Sequence, residues 1–127
     1  GSERIGDSMA RRAKPPKAAQ AAAKKALGWR DKHGRDEVKG ATRVGWTRAN
    51  QLAKGGELTE ETVRRMARFT RHRKNSTLSP EYKSTPWRDR GYVAWLTWGG
   101  TVGVNWAIRK VEQWNREDQQ KKQGYGS

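Results

Sequence analysis

The chain has 127 residues, and its 28 Lys and Arg against 13 Asp and Glu give a formal net charge of +15 at pH 7. A surplus of this size indicates an anionic partner, with nucleic acid favoured over an anionic membrane surface. The lack of cysteine excludes disulfides and thiolate metal sites, and no apolar run reaches the roughly 20 residues that a membrane-spanning helix needs.

The N-terminal part of the chain is strongly basic. We interpret residues 1–8 as a remnant of an expression tag, followed by a natural start at Met9. The stretch MARRAKPPK over 9–17 combines basic residues with two prolines, so we predict a disordered basic arm. KAAQAAAKKALGWR then predicts a helix over 17–30, because alanine is the strongest helix former. Its expected apolar face is Ala22, Ala23, Ala26 and Leu27.

A second helix is predicted over 42–54, after a polar, Gly-punctuated loop over 31–41. Gly55 and Gly56 supply its C-terminal stop. Its expected inward face is Val44, Ala49, Leu52 and Ala53.

The clearest predicted element is a helix over 60–73. Thr59 is a favourable N-cap, Glu60 and Glu61 complement the helix dipole, and Leu58 and Val63 have the spacing of a hydrophobic staple. The expected inward stripe is Val63, Met66, Ala67 and Thr70. We predict that this helix and the preceding one form a generic helical hairpin. A DNA-reading helix-turn-helix is disfavoured, since its apolar positions would receive Asn50 and Lys54, or Gln51 and Gly55.

The C-terminal part is predicted as a long loop over 75–88, a helix over about 89–98, a Gly99-Gly100 corner and a helix over 102–118 capped by Thr101. Residues 119–127 are predicted as a flexible tail. The chain is therefore expected to be one all-α domain over 18–118, with four to five helices and a Trp-rich core. Trp95 and Trp106 are expected to be buried, because residues 91–108 contain no basic residue and stacking platforms for nucleic acid lie beside Lys and Arg.

Two stretches of the sequence resemble a known family. TRANQLAKGGELTEETVRRMARFTRHR and DRGYVAWLTWGGTVGVNWAIRKVEQW are similar to a small domain family of tailed bacteriophages, found alone or attached to head-morphogenesis and prohead-protease-like proteins. The similarity is tightest at 58–66, 71–72 and 94–107. The family usually has Asp where this chain has Thr101, and since both are N-caps, the resemblance implies a structural role there. It implies a phage setting, in the virion or in the cytoplasm of the infected bacterium, but no mechanism.

Basic residues are the candidate functional residues. The predicted helix over 60–73 carries Arg64, Arg68 and Arg71 on one face, and such a stripe can contact phosphates along a groove. The N-terminal arm adds further cations. The candidate nucleic-acid-binding residues are Arg64, Arg65, Arg68, Arg71, Arg73, Lys74, Arg11, Arg12, Lys14 and Lys17. The competing interpretation is a solvated face that keeps the protein in solution.

No catalytic or metal site is expected, and no cofactor. The two histidines, His33 and His72, have no ligand spacing, and Gly99-Gly100-Thr101 lacks the Lys of a phosphate-binding loop. We therefore predict a non-enzymatic phage protein that binds nucleic acid, with duplex DNA favoured, and that condenses or packages DNA or modulates a DNA transaction. The alternative is an interaction module of the phage head, whose basic face docks an acidic capsid or scaffold surface. No membrane partner is expected.

Overall fold

The structure, a computed structural model, describes residues 11–126, with side chains described through Lys121. The prediction of an all-α domain with four to five helices is confirmed. The described residues form α1 (Lys17–His33), α2 (Arg43–Lys54), α3 (Glu60–Arg68), α4 (Arg90–Thr97) and α5 (Gly100–Gly126). They also form a short antiparallel ribbon of β1 (Arg12–Ala13) and β2 (Leu58–Thr59).

The helices α1 and α2 pack along each other. α1 buries Ala19, Ala23 and Ala26, whose four- and three-residue spacing keeps these small side chains on one face. Thr42 caps α2 by accepting a hydrogen bond from the Gly45 N–H. The inward face of α2 differs from the predicted one. Gly45, Arg48, Ala49 and Leu52 face inward, whereas Val44 lies at the edge of this face and is 48% exposed.

The predicted disordered arm is wrong from residue 11 onwards. Arg12 pairs with Thr59 and Ala13 with Leu58, and the Glu60 N–H donates to the Arg11 carbonyl. Ala13 is 5% exposed and joins the hydrophobic core. Burial of this small apolar side chain and the ribbon hydrogen bonds outweigh the compositional tendency towards disorder. Residues 1–8, interpreted as a tag remnant, and residues 9–10 of the arm lie outside the described residues.

The predicted helix over 60–73 is α-helical only to Arg68. Its start matches the prediction, because the Thr59 hydroxyl accepts from the Thr62 N–H. Phe69–Ser76 is then a 3₁₀ segment with a non-helical residue, His72, at φ −100° and ψ 20°. The Phe69 ring at the start of this segment lies 4.8 Å from the Trp98 ring in a stacked arrangement.

The predicted helical hairpin does not form. α2 packs mainly against α1, whereas α3 packs mainly against α5. A link between the two predicted hairpin helices is the hydrogen bond from Arg48 Nη1 to Thr62 Oγ1, at 3.3 Å. The ribbon connection between them redirects α3 towards the C-terminal helix.

The corner between α4 and α5 is formed by glycine. Gly99 and Gly100 have φ of 97° and 67°, values that side-chain-bearing residues rarely adopt. Thr101 lies inside α5 rather than at its N-cap, so the capping prediction is wrong. The Thr101 Oγ1 instead accepts a 3.0 Å hydrogen bond from Trp95 Nε1. The predicted long loop over 75–88 includes the end of the Phe69–Ser76 segment and 3₁₀ turns at Pro80–Tyr82 and Pro86–Arg88, and is otherwise irregular.

The C-terminal tail is helical where it was predicted to be flexible. α5 continues to Gly126 because residues 119–123, QQKKQ, are good helix formers and add turns to an existing helix. Ser127 lies outside the described residues.

Tryptophan and phenylalanine rings form the centre of the core. Trp95 is 1% exposed, which confirms its predicted burial, and Trp98 and Trp114 are also buried. The Phe69 ring packs on both Trp95 and Trp98, with centroid distances of 5.8 and 4.8 Å. Trp106 is only half-buried and packs at the edge of this core, so its predicted full burial is wrong.

Candidate nucleic-acid interface

The ten candidate cations divide into residues that are engaged in internal contacts and residues that face the solvent. Arg11 and Arg64 belong to the first group. Arg11 Nη2 lies 2.6 Å from Asp118 Oδ1 and Arg11 Nη1 lies 3.5 Å from Glu60 Oε2. Arg64 donates from Nε to Glu60 Oε2 at 2.9 Å and from Nη1 to Asn115 Oδ1 at 3.3 Å.

These contacts join the N-terminal segment, α3 and α5. The hydrogen bond from Arg11 holds the pKa of Asp118 below its ordinary value and raises the pKa of the Arg11 guanidinium. Arg11 also lies over the Trp114 ring, 5.7 Å from its centroid. Arg11 and Arg64 therefore hold the fold together and have their charges neutralised locally, which the sequence prediction of a free arm and a free stripe did not include.

Arg73 is also engaged internally. Its Nη2 donates to Asn105 Oδ1 at 2.7 Å and to Thr70 Oγ1 at 3.0 Å. Its guanidinium lies 5.6 Å from the centroid of the Trp95 ring. These contacts connect the 3₁₀ segment to α5 and leave Arg73 less able than its neighbours to reach a ligand.

Four other candidates form a row of exposed cations with a spacing of three residues. We call Arg65, Arg68, Arg71 and Lys74 the cation row. Residues three apart are neighbours on an α-helix and eclipse one another in a 3₁₀ helix, so the change of helix type at residue 69 keeps the row on one side. The exposure pattern agrees, since the four residues from 69 to 73 other than Arg71 are all partly buried.

The charge of the cation row is largely uncompensated. Arg65 pairs with Glu61 at 3.0 Å, but both side chains are exposed, so the pair is weak. Within the described part of the chain, Arg68, Arg71 and Lys74 have neither an ion pair nor a side-chain hydrogen bond. Residues 62–80 contain no Asp or Glu at all. The row thus presents Arg68, Arg71 and Lys74 to the solvent without an acidic partner among the described residues.

The remaining candidates lie near the N-terminal ribbon. Arg12 is exposed in β1 opposite Thr59, and Lys14 and Lys17 are exposed on either side of Pro15 and Pro16. No contact in the described chain connects these three side chains to the cation row.

Sequence reasoning missed a buried arginine. Arg48 is 6% exposed and lies over the Trp98 ring, 5.1 Å from its centroid. Its Nη1 donates to Gln51 and to Thr62, and its Nε has no hydrogen-bond partner among the described residues. Burial, and then the nearby charge of Arg65, lower the pKa of Arg48. An arginine in an amphipathic helix pattern predicts an exposed residue, so no sequence signal marked this position.

Two further cations cover aromatic rings of α1 and α2. Lys25 Nζ lies 5.3 Å from the Trp29 ring centroid, and the Arg30 guanidinium lies 4.5 Å from that of Trp46. Both tryptophans are half-buried. Because a cation already covers one face of each ring, that face makes an internal contact and is closed to a stacked base.

Among the described residues, no group of three or more His, Asp or Glu is placed to hold a metal ion. None of the described helices is both long and apolar enough to cross a membrane. Comparisons of the chain with family models, with curated proteins and with solved structures found no match.

Proposed function

We propose that this protein binds nucleic acid, with duplex DNA favoured, and that the cation row makes the phosphate contacts. The observation that carries this proposal is the exposure of Arg68, Arg71 and Lys74 in a stretch without acids. Arginine presents a planar fork of donors that fits phosphate oxygens, and an arginine without an internal partner gives up no existing ion pair when it binds.

The distribution of acids supports the same surface. Glu60, Glu117 and Asp118 lie around Arg11 and Arg64, and Glu37 pairs with Arg88 at 2.8 Å. These four acids are therefore committed elsewhere, and none of them pairs with Arg68, Arg71 or Lys74. A polyanion gains most at such a surface, because each contact releases counterions condensed on the nucleic acid.

The resemblance to a phage domain family suggests a setting for this binding. In that setting the protein condenses or packages DNA, or modulates a DNA transaction, in the virion or in the infected cytoplasm. The same cations could instead dock an acidic capsid or scaffold surface of the phage head. The two hypotheses assign different partners to the same cation row, so nucleic-acid binding is tested first.

The test compares two triple variants that remove the same charge. The row variant carries Arg68→Ala, Arg71→Ala and Lys74→Ala, and the control variant carries Lys24→Ala, Lys32→Ala and Lys39→Ala, all exposed cations of other segments. Binding of labelled duplex DNA, single-stranded DNA and duplex RNA is measured by fluorescence anisotropy over a series of salt concentrations. Each phosphate contact contributes about −0.9 to the slope of log K against log salt on duplex DNA.

We expect the row variant to flatten the slope by about 2.7 and to weaken binding to all sequences alike, since three contacts are lost. We expect a clearly smaller change for the control variant. Equal loss in both variants would mean that net charge alone governs binding and would reject the cation row. If the wild type binds no nucleic acid near 0.1 M salt, docking to an acidic head protein becomes the better proposal.

A further inference from the structure

A second surface feature is a cleft of about 310 Å³ between the end of α2 and the ribbon. Its position follows from the fold. Gly55, at φ 76°, turns the chain out of α2, and β1 lies beside β2, which brings Arg12 next to the start of α3. The side chains that line the cleft and matter for its chemistry are Arg12, Gln51, Lys54, Glu57, Thr59 and Thr62.

The hydrogen bonds at the base of the cleft leave donors facing a ligand. Gln51 uses its Oε1 to accept from Arg48, so its amide N–H₂ group stays available. Thr62 Oγ1 accepts from Arg48 Nη1 at 3.3 Å and from the Thr59 hydroxyl at 3.0 Å. Since a hydroxyl has two acceptor sites and one donor, the Thr62 proton remains to be donated. Together with Arg12 and Lys54, the polar lining is therefore rich in donors.

The buried Arg48 behind this lining carries a charge that Glu61, itself paired with the exposed Arg65, offsets only in part. Arg48 is 6% exposed, and in the described chain no ion pair neutralises it, while its Nε has no hydrogen-bond partner. A buried guanidinium without an adjacent anion is costly. An anion in the cleft would lie on the other side of Gln51 and Thr62 from Arg48 and would reduce that cost. The burial that lowers the pKa of Arg48 reflects the same imbalance.

We propose that this cleft binds a phosphate group. Arg12 and Lys54 supply the charge, Gln51 and Thr62 supply hydrogen bonds, and Arg48 contributes its field from behind them. Glu57 also lines the cleft and opposes an anion, so it weakens the site and limits its affinity. The phosphate belongs either to a free phosphate ion or to a nucleic acid chain. The cleft lining includes no residue of the cation row, and the proposal does not depend on the proposed function.

The test titrates inorganic phosphate into the full chain at constant ionic strength, with chloride as the balancing anion, and follows ¹H–¹⁵N NMR shifts. We expect saturable shifts confined to the backbone amides of the cleft and to the Gln51 side-chain amide. Arg12→Ala and Lys54→Ala are each expected to weaken phosphate binding by about tenfold, the effect of one charge-assisted hydrogen bond. Glu57→Gln is expected to strengthen it several-fold, and Lys83→Ala, an exposed cation elsewhere, to leave it unchanged.

Shifts that do not saturate, or that persist unchanged in both Arg12→Ala and Lys54→Ala, would overturn the proposal. A competition step assigns the source of the phosphate. If a short oligonucleotide with a 5′-phosphate displaces phosphate and its 5′-hydroxyl form does not, the site binds a chain end. If both oligonucleotides displace it, the site binds internal phosphates. If neither does, the site binds the free ion. The row variant is expected to keep phosphate binding in the cleft, so failure of this proposal and failure of the nucleic-acid proposal give different results.

Discussion

Asp118 in α5 receives two hydrogen bonds from the guanidinium of Arg11, at 2.6 and 3.2 Å, although 107 positions separate the two residues in the sequence. This contact holds the N-terminal segment against the last long helix. It explains why a stretch with the composition of a disordered arm is part of the fold.

The first prediction concerns this pair and pH. The pKa of Asp118 is lower in the folded state than its ordinary value of 3.8. The ion pair with Arg11 therefore stabilises the fold fully above pH 3.8, and this stabilisation is lost as the pH falls through the lowered pKa of the folded state. We expect Arg11→Ala to lower the melting temperature at pH 7 and to lose most of that deficit at pH values below 3.8. Thermal unfolding from pH 2 to 8 measures it. A deficit that is constant over this range would show that Arg11 stabilises by packing on Trp114 alone.

The second prediction concerns Trp95, the largest fully buried side chain. Trp95→Ala removes a ring that packs on Phe69 and a hydrogen bond to Thr101, and we expect a loss of about 3–5 kcal/mol in the free energy of unfolding. Trp29→Ala truncates a half-buried ring and is expected to cost clearly less. Urea unfolding compares the two. Similar losses would mean that the aromatic core is less central to stability than its burial implies.

The third prediction uses two glycines that differ in their surroundings. A Cβ on Gly28 of α1 would meet nothing within 4 Å, so Gly28→Ala is expected to stabilise the protein by about 0.5–1 kcal/mol through helix propensity. A Cβ on Gly40 would collide with the backbone of Arg90, so Gly40→Ala is expected to destabilise it by about 3 kcal/mol. Thermal unfolding reports both, and a stabilising Gly40→Ala would contradict the close approach of the 34–42 loop to α4.

The fourth prediction separates two arginines of α3. Arg64 binds Glu60 and Asn115, whereas Arg68 has no side-chain partner in the described chain. We expect Arg64→Ala to reduce stability by about 0.5–1 kcal/mol with little effect on DNA affinity. Arg68→Ala is expected to leave stability unchanged and to flatten the salt slope of DNA binding by about 0.9. Anisotropy titrations and urea unfolding of both variants measure these quantities, and a reversed pattern would place the interface on the α5 side of α3.

Local signals were sufficient for much of the helical structure. The Thr59 cap, the acids in the first turn and the Leu58–Val63 spacing predicted the start of α3, because each acts within one helical turn. Burial of Trp95 was also predictable, since no basic residue accompanies it in sequence. These features require no knowledge of distant segments.

The errors arose where a distant segment decides the local structure. β1 exists because it pairs with β2, and nothing in MARRAKPPK indicates that partner. The stacking of Phe69 on Trp98 accompanies the end of the α-helix at Arg68, which helix propensity does not predict. For the candidate site, the cation row was contained in the predicted set. The sequence could not show that Arg11, Arg64 and Arg73 are held by internal contacts while the row is exposed, because those contacts are made to acids and amides of α3 and α5.

The long-range contacts of the N-terminal segment also bear on the order of folding. α1 with α2, and α4 with α5, are joined by short connections and can associate early, whereas the Arg11–Asp118 contact closes a loop of 107 residues. Closing a loop of that length costs more entropy than any local step and is rewarded only when α3 and α5 are already in place. Docking of residues 11–16 is therefore expected to be a late event in folding and an early one in unfolding. The amide hydrogen of Glu60, which is bonded to the Arg11 carbonyl, would exchange with solvent before those of the central helices.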